Sequence, residues 1–177
     1  MDKKIIRAAL LGFGTVGTGV YKVLQKQKED MIPKFGSQIE IKKILVRNLE
    51  KAAAKVEDPA VLTNNWDEIV NDPEIDIVIE LIGGIEPARS YILAAINAGK
   101  HVVTANKDLI AVHGKELLDA AEAHHVDFLF EAAVAGGIPI IRPLNQSLTA
   151  DEIDEITGIL NGTTNYMLYK MSTENCD

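Results

Sequence analysis

The chain has 177 residues, 47% of them hydrophobic and 25% charged, with 18 Lys plus Arg against 26 Asp plus Glu and a net charge of −8. That size and composition suit one globular domain, or one and part of another, and exclude disorder as the dominant state. The acidic balance speaks against duplex DNA or an anionic membrane as partner, since both demand clustered positive charge, but a phosphorylated cofactor needs only a local positive site. Ile5 to Leu11 is a short, mostly apolar run closing on glycine, as in a buried parallel strand. Residues 15–29 follow, with Val16, Val20, Val23 and Leu24 at helical spacing. Ile39 to Val46 reads as a second strand and Ala60 to Leu62 as a short third. Asn64 and Asn65 stand where they would cap a brief helix holding Trp66, Ile69 and Val70. Asp76 to Ile82 is the clearest buried strand. Pro87 suits a first helical turn, and Tyr91, Ile92, Ala95 and Ile96 share one face until Gly99 ends the helix. His101 to Thr104 is the next strand, Leu117, Leu118, Ala120 and Ala121 mark another helix, and Val126 to Phe130 is a strand closing on Glu131.

Strands alternating with helices at this rhythm predict a doubly wound α/β domain over about residues 1–135, its parallel sheet covered on both faces. After Gly137 the rhythm changes. Residues 138–148 read as helix, 153–160 as strand and 163–171 as helix, the opening of a second α+β unit over 136–177 that the chain does not complete. The acidic Asp151–Glu155 run alternates with isoleucine and reads as the solvated edge of that late strand. Cys176 is the single cysteine, so no intrachain disulfide forms; with no signal-like N-terminus and no apolar run near the ~20 residues that span a bilayer, a cytoplasmic protein is expected.

The stretch Gly12-Phe13-Gly14-Thr15-Val16-Gly17 is a GxGxxG that follows a predicted strand and opens a predicted helix. In a Rossmann-type dinucleotide-binding domain the first glycine permits a tight turn, the second lets the backbone approach a pyrophosphate, and the third allows close helix packing. The helix N-terminus then offers N–H groups and its positive dipole end to the phosphates. A glycine-rich turn without a ligand is the bland alternative. The end of the second strand reads Val46-Arg47-Asn48, with Lys51 a turn later and Glu50 as the nearest acid. An acid at the tip would bond the 2′-hydroxyl of NAD, whereas an arginine can hold the 2′-phosphate of NADP, so NADP(H) is favoured and NAD(H) stays open. Lys107 lies just past the end of the strand His101–Thr104, where ligands of open α/β sheets bind; on residues alone it is equally a solvated lysine at a helix start. The four histidines have no metal spacing, His124 and His125 suit a helix C-terminus, and Cys176 has no nearby histidine that would make it a nucleophile.

Five stretches together resemble the N-terminal part of homoserine dehydrogenase: residues 10–20 (LLGFGTVGTGV), 78–88 (VIELIGGIEPA), 99–111 (GKHVVTANKDLIA), 130–141 (FEAAVAGGIPII) and 158–168 (GILNGTTNYML). The first fits many dehydrogenases; the last three in that order are specific. The resemblance implies interconversion of L-aspartate 4-semialdehyde and L-homoserine with NAD(P)(H), in the biosynthesis of threonine, methionine and isoleucine. It implies that Gly12 to Gly17 bind the dinucleotide, that Ile82 and Gly83 line it, and that Lys107 stands near the nicotinamide and the reacting centre. It implies that Glu131, Val134, Gly136 and Ile138 form a monovalent-cation loop, commonly sodium, ligated mostly by carbonyls, and that Asn161, Gly162 and Thr163 line the substrate side. The family continues through an acidic segment and a second catalytic lysine, so a truncated chain is expected: one that binds cofactor, lacks turnover by itself, and belongs to a homo-oligomer when whole. A non-catalytic redox-sensing module would need only the glycine turn and would leave Lys107 and the Asn161–Thr163 loop without a role. A semialdehyde dehydrogenase working through a thioester would need a central nucleophilic cysteine, and none is present.

Overall fold

In the computed structural model, residues 4–158 and 162–174 are described. Six parallel strands, β1 (Lys4–Leu11), β2 (Ser37–Leu45), β3 (Leu62–Thr63), β4 (Ile77–Glu80), β5 (His101–Thr104) and β6 (Phe128–Leu129), form one sheet in the order β3-β2-β1-β4-β5-β6. All the pairings are parallel: Leu10 pairs with Ile44 on one side and Ile79 on the other, and Val102 with Phe128 at the far edge. Between β1 and β4 the strand order reverses, and ligands of such sheets bind at that switch point.

The continuous apolar run of β1 follows from burial on both faces. Ala8, Ala9, Leu10 and Leu11 are all 0% exposed. Ala9 and Leu11 face the cluster built from α5 (Ala88–Asn97) and α6 (Lys107–Ala123), with Ile92, Ile96, Leu109 and Leu117. Ala8 and Leu10 face the opposite cluster, with Tyr21 of α1 (Thr15–Lys26) and Ala52 of α3 (Leu49–Ala53). A strand's period of two divides the run between these layers. Truncating a side chain such as Leu10 to alanine would cost about 2–5 kcal/mol.

Several elements depart from the sequence reading. The helix expected over 15–29 is two: α1, then α2 (Lys28–Phe35), joined at Gln27 and ended by Gly36 at φ 71. Of the apolar positions expected on the buried face of α1, Val20 and Leu24 pack against the core beside Gly17 and Tyr21, whereas Val16 and Val23 are 58% and 53% exposed. The strand expected at Ala60–Leu62 is a 3-10 turn (Pro59–Val61) leading into β3. The brief helix α4 (Asp67–Val70) forms as expected, with the Asp67 N–H donating to Asn65 Oδ1 at 3.0 Å.

Beyond β6, the helix expected over 138–148 is reduced to residues 141–147, with a wide π turn at Pro143–Ser147. Pro143 has no N–H to offer the carbonyl four residues back, and the Leu148 N–H reaches Pro143 O at 3.1 Å, so the register widens there. The strand expected over 153–160 is absent in its described part: residues 152–158 have no regular structure, with Ile153 46% and Ile156 62% exposed. A strand needs a ladder partner, and each of the six strands finds its partners within the parallel sheet. The last expected helix forms as α7 (Gly162–Glu174). No helix among the described residues is long and apolar enough to cross a membrane.

Candidate functional site

A cleft of about 700 Å3 opens at the switch point, a volume in the range of small-molecule sites. Its floor is the turn after β1, where Gly12, Phe13 and Gly14 line it. Its rim comes from Arg47, Asn48, Lys51 and Lys55 after β2, and its far wall from Leu81, Ile82, Pro87 and Tyr91 after β4.

The three glycines have three different reasons. Gly12 sits at φ 99, and a Cβ there would come 2.9 Å from the Leu81 carbonyl oxygen, so both its backbone and its surroundings demand glycine. At Gly17 a Cβ would stand 2.3 Å from the Gly12 carbonyl oxygen, so this residue lets α1 pack against the turn. A Cβ at Gly14 would meet nothing within 4 Å. Gly14 is the N-cap of α1 and no side chain caps that helix. The first-turn N–H groups of a helix have no intrahelical partner, so this end presents donors and a positive dipole to the cleft. Thr15, Val16 and Gly17 belong to α1 and do not line the cleft themselves.

Arg47 is exposed and on the rim, as its place after β2 implies. Asn48 caps α3, accepting the Lys51 N–H at 2.8 Å, and this turn brings Lys51 beside Arg47. Lys55, which sequence reasoning missed, adds a third cation; its Nζ lies 5.9 Å from the centre of the Phe13 ring. One basic turn after β2 thus faces a glycine turn after β1.

The loops after β4 and β5 are tied by side chains that the sequence reading also missed. Glu80 is the last residue of β4 and 0% exposed. Its Oε1 accepts the N–H groups of Ile82 (2.7 Å) and Gly83 (3.0 Å), and its Oε2 accepts the Thr104 hydroxyl (2.6 Å). Thr104 Oγ1 in turn accepts the Asn106 N–H at 3.0 Å. Asn106 caps α6 by accepting the Leu109 N–H at 3.2 Å and donates through Nδ2 to the Gly84 carbonyl at 2.6 Å. The sequence signal was a carboxylate ending an otherwise apolar strand just before two glycines. Gly83, whose φ is 79, stands in this ring and not on the cleft wall.

Lys107 is the first residue of α6, beyond the end of β5 as expected. Its side chain is 79% exposed, meets Asp108 at 4.0 Å, and is not among the residues lining the cleft. The structure therefore does not aim it into the cleft. Its place follows from Asn106: once that cap is fixed, α6 starts at residue 107.

Glu131 opens a short 3-10 turn (Glu131–Ala133) after β6. Its carboxylate accepts the N–H groups of Ile140 (2.6 Å), Ile141 (3.0 Å) and Arg142 (2.7 Å). The Ile140 N–H, followed by those of Arg142 and Ile141, holds this carboxyl below its ordinary value of 4.5. The loop turns through Ala135 (φ 57) and Gly136 (φ 62), and the Glu131 carbonyl accepts the Val134 N–H at 3.1 Å. Among the described residues no three His, Cys, Asp or Glu side chains are grouped to hold a metal. The one carboxylate of this loop is committed to N–H donors. Gly162 and Thr163 begin α7 and are exposed, away from the cleft lining; Asn161 lies outside the described residues.

Comparison with known proteins matches residues 12–131 to the homoserine dehydrogenase NAD-binding domain. The chain belongs to the homoserine dehydrogenase family. Residues 139–177 match the next part of the same family, described as homoserine dehydrogenase. The chain is 48% identical over 171 residues to a homoserine dehydrogenase of Bacillus subtilis strain 168, covering 97% of this chain and 40% of that protein. It is 52% identical over 173 residues to one of Lactococcus lactis, covering 96% of this chain and 40% of the relative. A homoserine dehydrogenase crystal structure from Thiobacillus denitrificans superposes with a TM-score of 0.90 at 49% identity, over 98% of this chain and 40% of that one. The chain thus spans about two fifths of the length of the homoserine dehydrogenases it matches.

Proposed function

We propose that this chain forms the cofactor-binding part of an oxidoreductase that interconverts L-aspartate 4-semialdehyde and L-homoserine, active at the full length of its relatives. The reading is carried by the convergence of the open glycine turn, the uncapped start of α1 and the basic turn after β2 on one cleft at the switch point. Residues 1–135 hold the dinucleotide and residues 136–177 begin the catalytic unit; the sheet ends at Leu129, just short of that boundary.

The nicotinamide cofactor supplies the hydride for the aldehyde carbon. The chain's residues bind and orient. Gly12, Phe13 and Gly14 receive the pyrophosphate with the first-turn N–H groups of α1. Arg47, with Lys51 and Lys55 beside it, holds a 2′-phosphate, so NADP(H) is preferred to NAD(H). Ile82 and Gly83 lie along the cofactor after β4. Lys107 donates a hydrogen bond to the carbonyl oxygen as negative charge develops there; its loose 4.0 Å contact with Asp108 leaves little to break when it turns to a substrate. Asn161, Gly162 and Thr163 face the substrate. The carbonyls of Glu131, Val134, Gly136 and Ile138 hold a monovalent cation such as sodium, whose hard charge suits oxygen ligands. A cytoplasmic setting and a homo-oligomer belong to the same reading.

A titration of the 177-residue chain with NADPH and NADH tests its core. Trp66 is the single tryptophan. It stacks on Tyr91, a residue of the cleft wall, with ring centroids 4.7 Å apart. Energy transfer from Trp66 to the reduced nicotinamide should rise on binding, at lower concentration for NADPH. Failure of both dinucleotides to bind would end the reading.

A further inference from the structure

The closed ring of Glu80, Thr104, Asn106 and the Gly84 carbonyl has no part in the function above, and its chemistry is unusual for a strand end. A buried carboxylate is costly unless its oxygens are satisfied, and an apolar residue would fill the same space in an otherwise apolar strand at less cost. Glu80 is 0% exposed, and its three donors all come from the ligand end of the sheet: two from the loop after β4 and one from Thr104, the last residue of β5. Two of them are backbone N–H groups in a turn whose Gly83 and Gly84 take φ 79 and 74. The third passes through Thr104 to the cap of α6, where Lys107 begins.

We propose that Glu80, Thr104 and Asn106 act as one positioning unit, holding the Ile82–Gly84 loop and the start of α6 in fixed relation so that together they receive the nicotinamide half of the dinucleotide. The proposal rests on the dinucleotide reading. In a doubly wound sheet the two halves of a dinucleotide lie on opposite sides of the switch point. Arg47 marks the β2 side for the adenosine, which leaves β4 and β5 for the other half. The carboxylate is suited to this because it only accepts, so the two loop N–H groups and the Thr104 hydroxyl all point at one group. A glutamine there can keep its oxygen on the two loop N–H groups and donate its amide N–H to the Thr104 hydroxyl, which can accept as well as donate. The change that opens the ring is therefore to leucine, which leaves all three donors without an acceptor.

The test compares two ligands on the full 177-residue chain. NADPH carries both halves; 2′,5′-ADP carries the adenosine half alone. Glu80→Leu and Thr104→Val should each weaken NADPH at least tenfold while leaving 2′,5′-ADP within twofold, and Thr104→Ser, which keeps the hydroxyl, should bind NADPH as the unsubstituted chain does. In the unsubstituted chain, NADPH should shift the amide resonances of Gly83 and Asn106, and 2′,5′-ADP should leave them in place. If Glu80→Leu does not fold, Thr104→Val and the resonance shifts carry the test. Equal weakening of both ligands would show general loosening and overturn the proposal, as would unchanged NADPH affinity in the variants or unmoved Gly83 and Asn106 resonances. Those results leave the dinucleotide reading standing. An unsubstituted chain that binds neither NADPH nor NADH brings down both.

Discussion

Gly14 and Gly17 are three residues apart in one motif, yet substitution should damage different properties. At Gly14 an added Cβ meets no atom within 4 Å. Valine there loses only helix-start preference, about 1 kcal/mol, or roughly 2–4 °C in Tm for a chain of this size. Its side chain would nevertheless fill the space through which a pyrophosphate reaches the N–H groups of α1. Losing one hydrogen bond to a charged group costs about 1.5–3 kcal/mol, or roughly 10- to 100-fold in affinity. At Gly17 the Cβ would be 2.3 Å from the Gly12 carbonyl oxygen, a backbone atom that cannot swing aside. Gly17→Ala must push α1 off the turn, an overpacking cost of about 1–3 kcal/mol, and Tm should fall by roughly 2–4 °C for each of them. Calorimetric titration with NADPH, paired with a thermal melt of each variant, separates the two. Gly14→Val should melt near the parent and bind poorly; Gly17→Ala should melt lower. A Gly14→Val chain that binds NADPH normally, or that loses far more Tm than the roughly 2–4 °C of a helix start, would refute the reasoning.

Arg47→Asp should weaken NADPH by about fivefold, the ~1 kcal/mol of an exposed charge pair, and spare NADH; equal effects on both cofactors in the fluorescence titration would remove Arg47 from the 2′-phosphate site. In a protein carrying these residues at the length of its relatives, Lys107→Ala should lower kcat by about two to three orders of magnitude, the loss typical of an oxyanion donor. Its Tm should not move, because the side chain is 79% exposed; an unchanged kcat would make Lys107 a solvated helix-start residue. Glu131 has a folded-state value below its ordinary 4.5, so the stability it contributes is complete above that pH and is lost as pH falls through the lowered value. Amide exchange at Ile140, Ile141 and Arg142 should accelerate in that acid window and already be fast at neutral pH in Glu131→Gln; protection that fails above pH 4.5 in the parent chain would contradict the assignment.

The parallel sheet was legible because its signals are local. Runs such as Ala8–Leu11 and Ile77–Glu80 are apolar at nearly every position, which only a strand buried on both faces requires, and the glycine motif sits between strand and helix by chain order alone. Arg47 was legible for the same reason: the residue after the second strand is at the ligand end of a doubly wound sheet whatever its side chain does. The buried face of α1 was legible in part: Val20 and Leu24 pack as their spacing implies, but Val16 and Val23 share that spacing and are exposed, because the closeness of Gly17 to Gly12 turns Gly17 and Tyr21 to the core. The irregular 152–158 segment was not legible, since isoleucine among acids suits a strand locally but a strand also needs a partner edge. Tertiary structure alone decided that Lys55 joins Arg47 at the cleft rim and that Glu80, in sequence one acid at the end of an apolar strand, meets Thr104 from the neighbouring strand 24 positions on. Periodicity reports which side of an element is apolar. Pairings across the sheet depend on strand order and register, which many residues set together and no local stretch encodes.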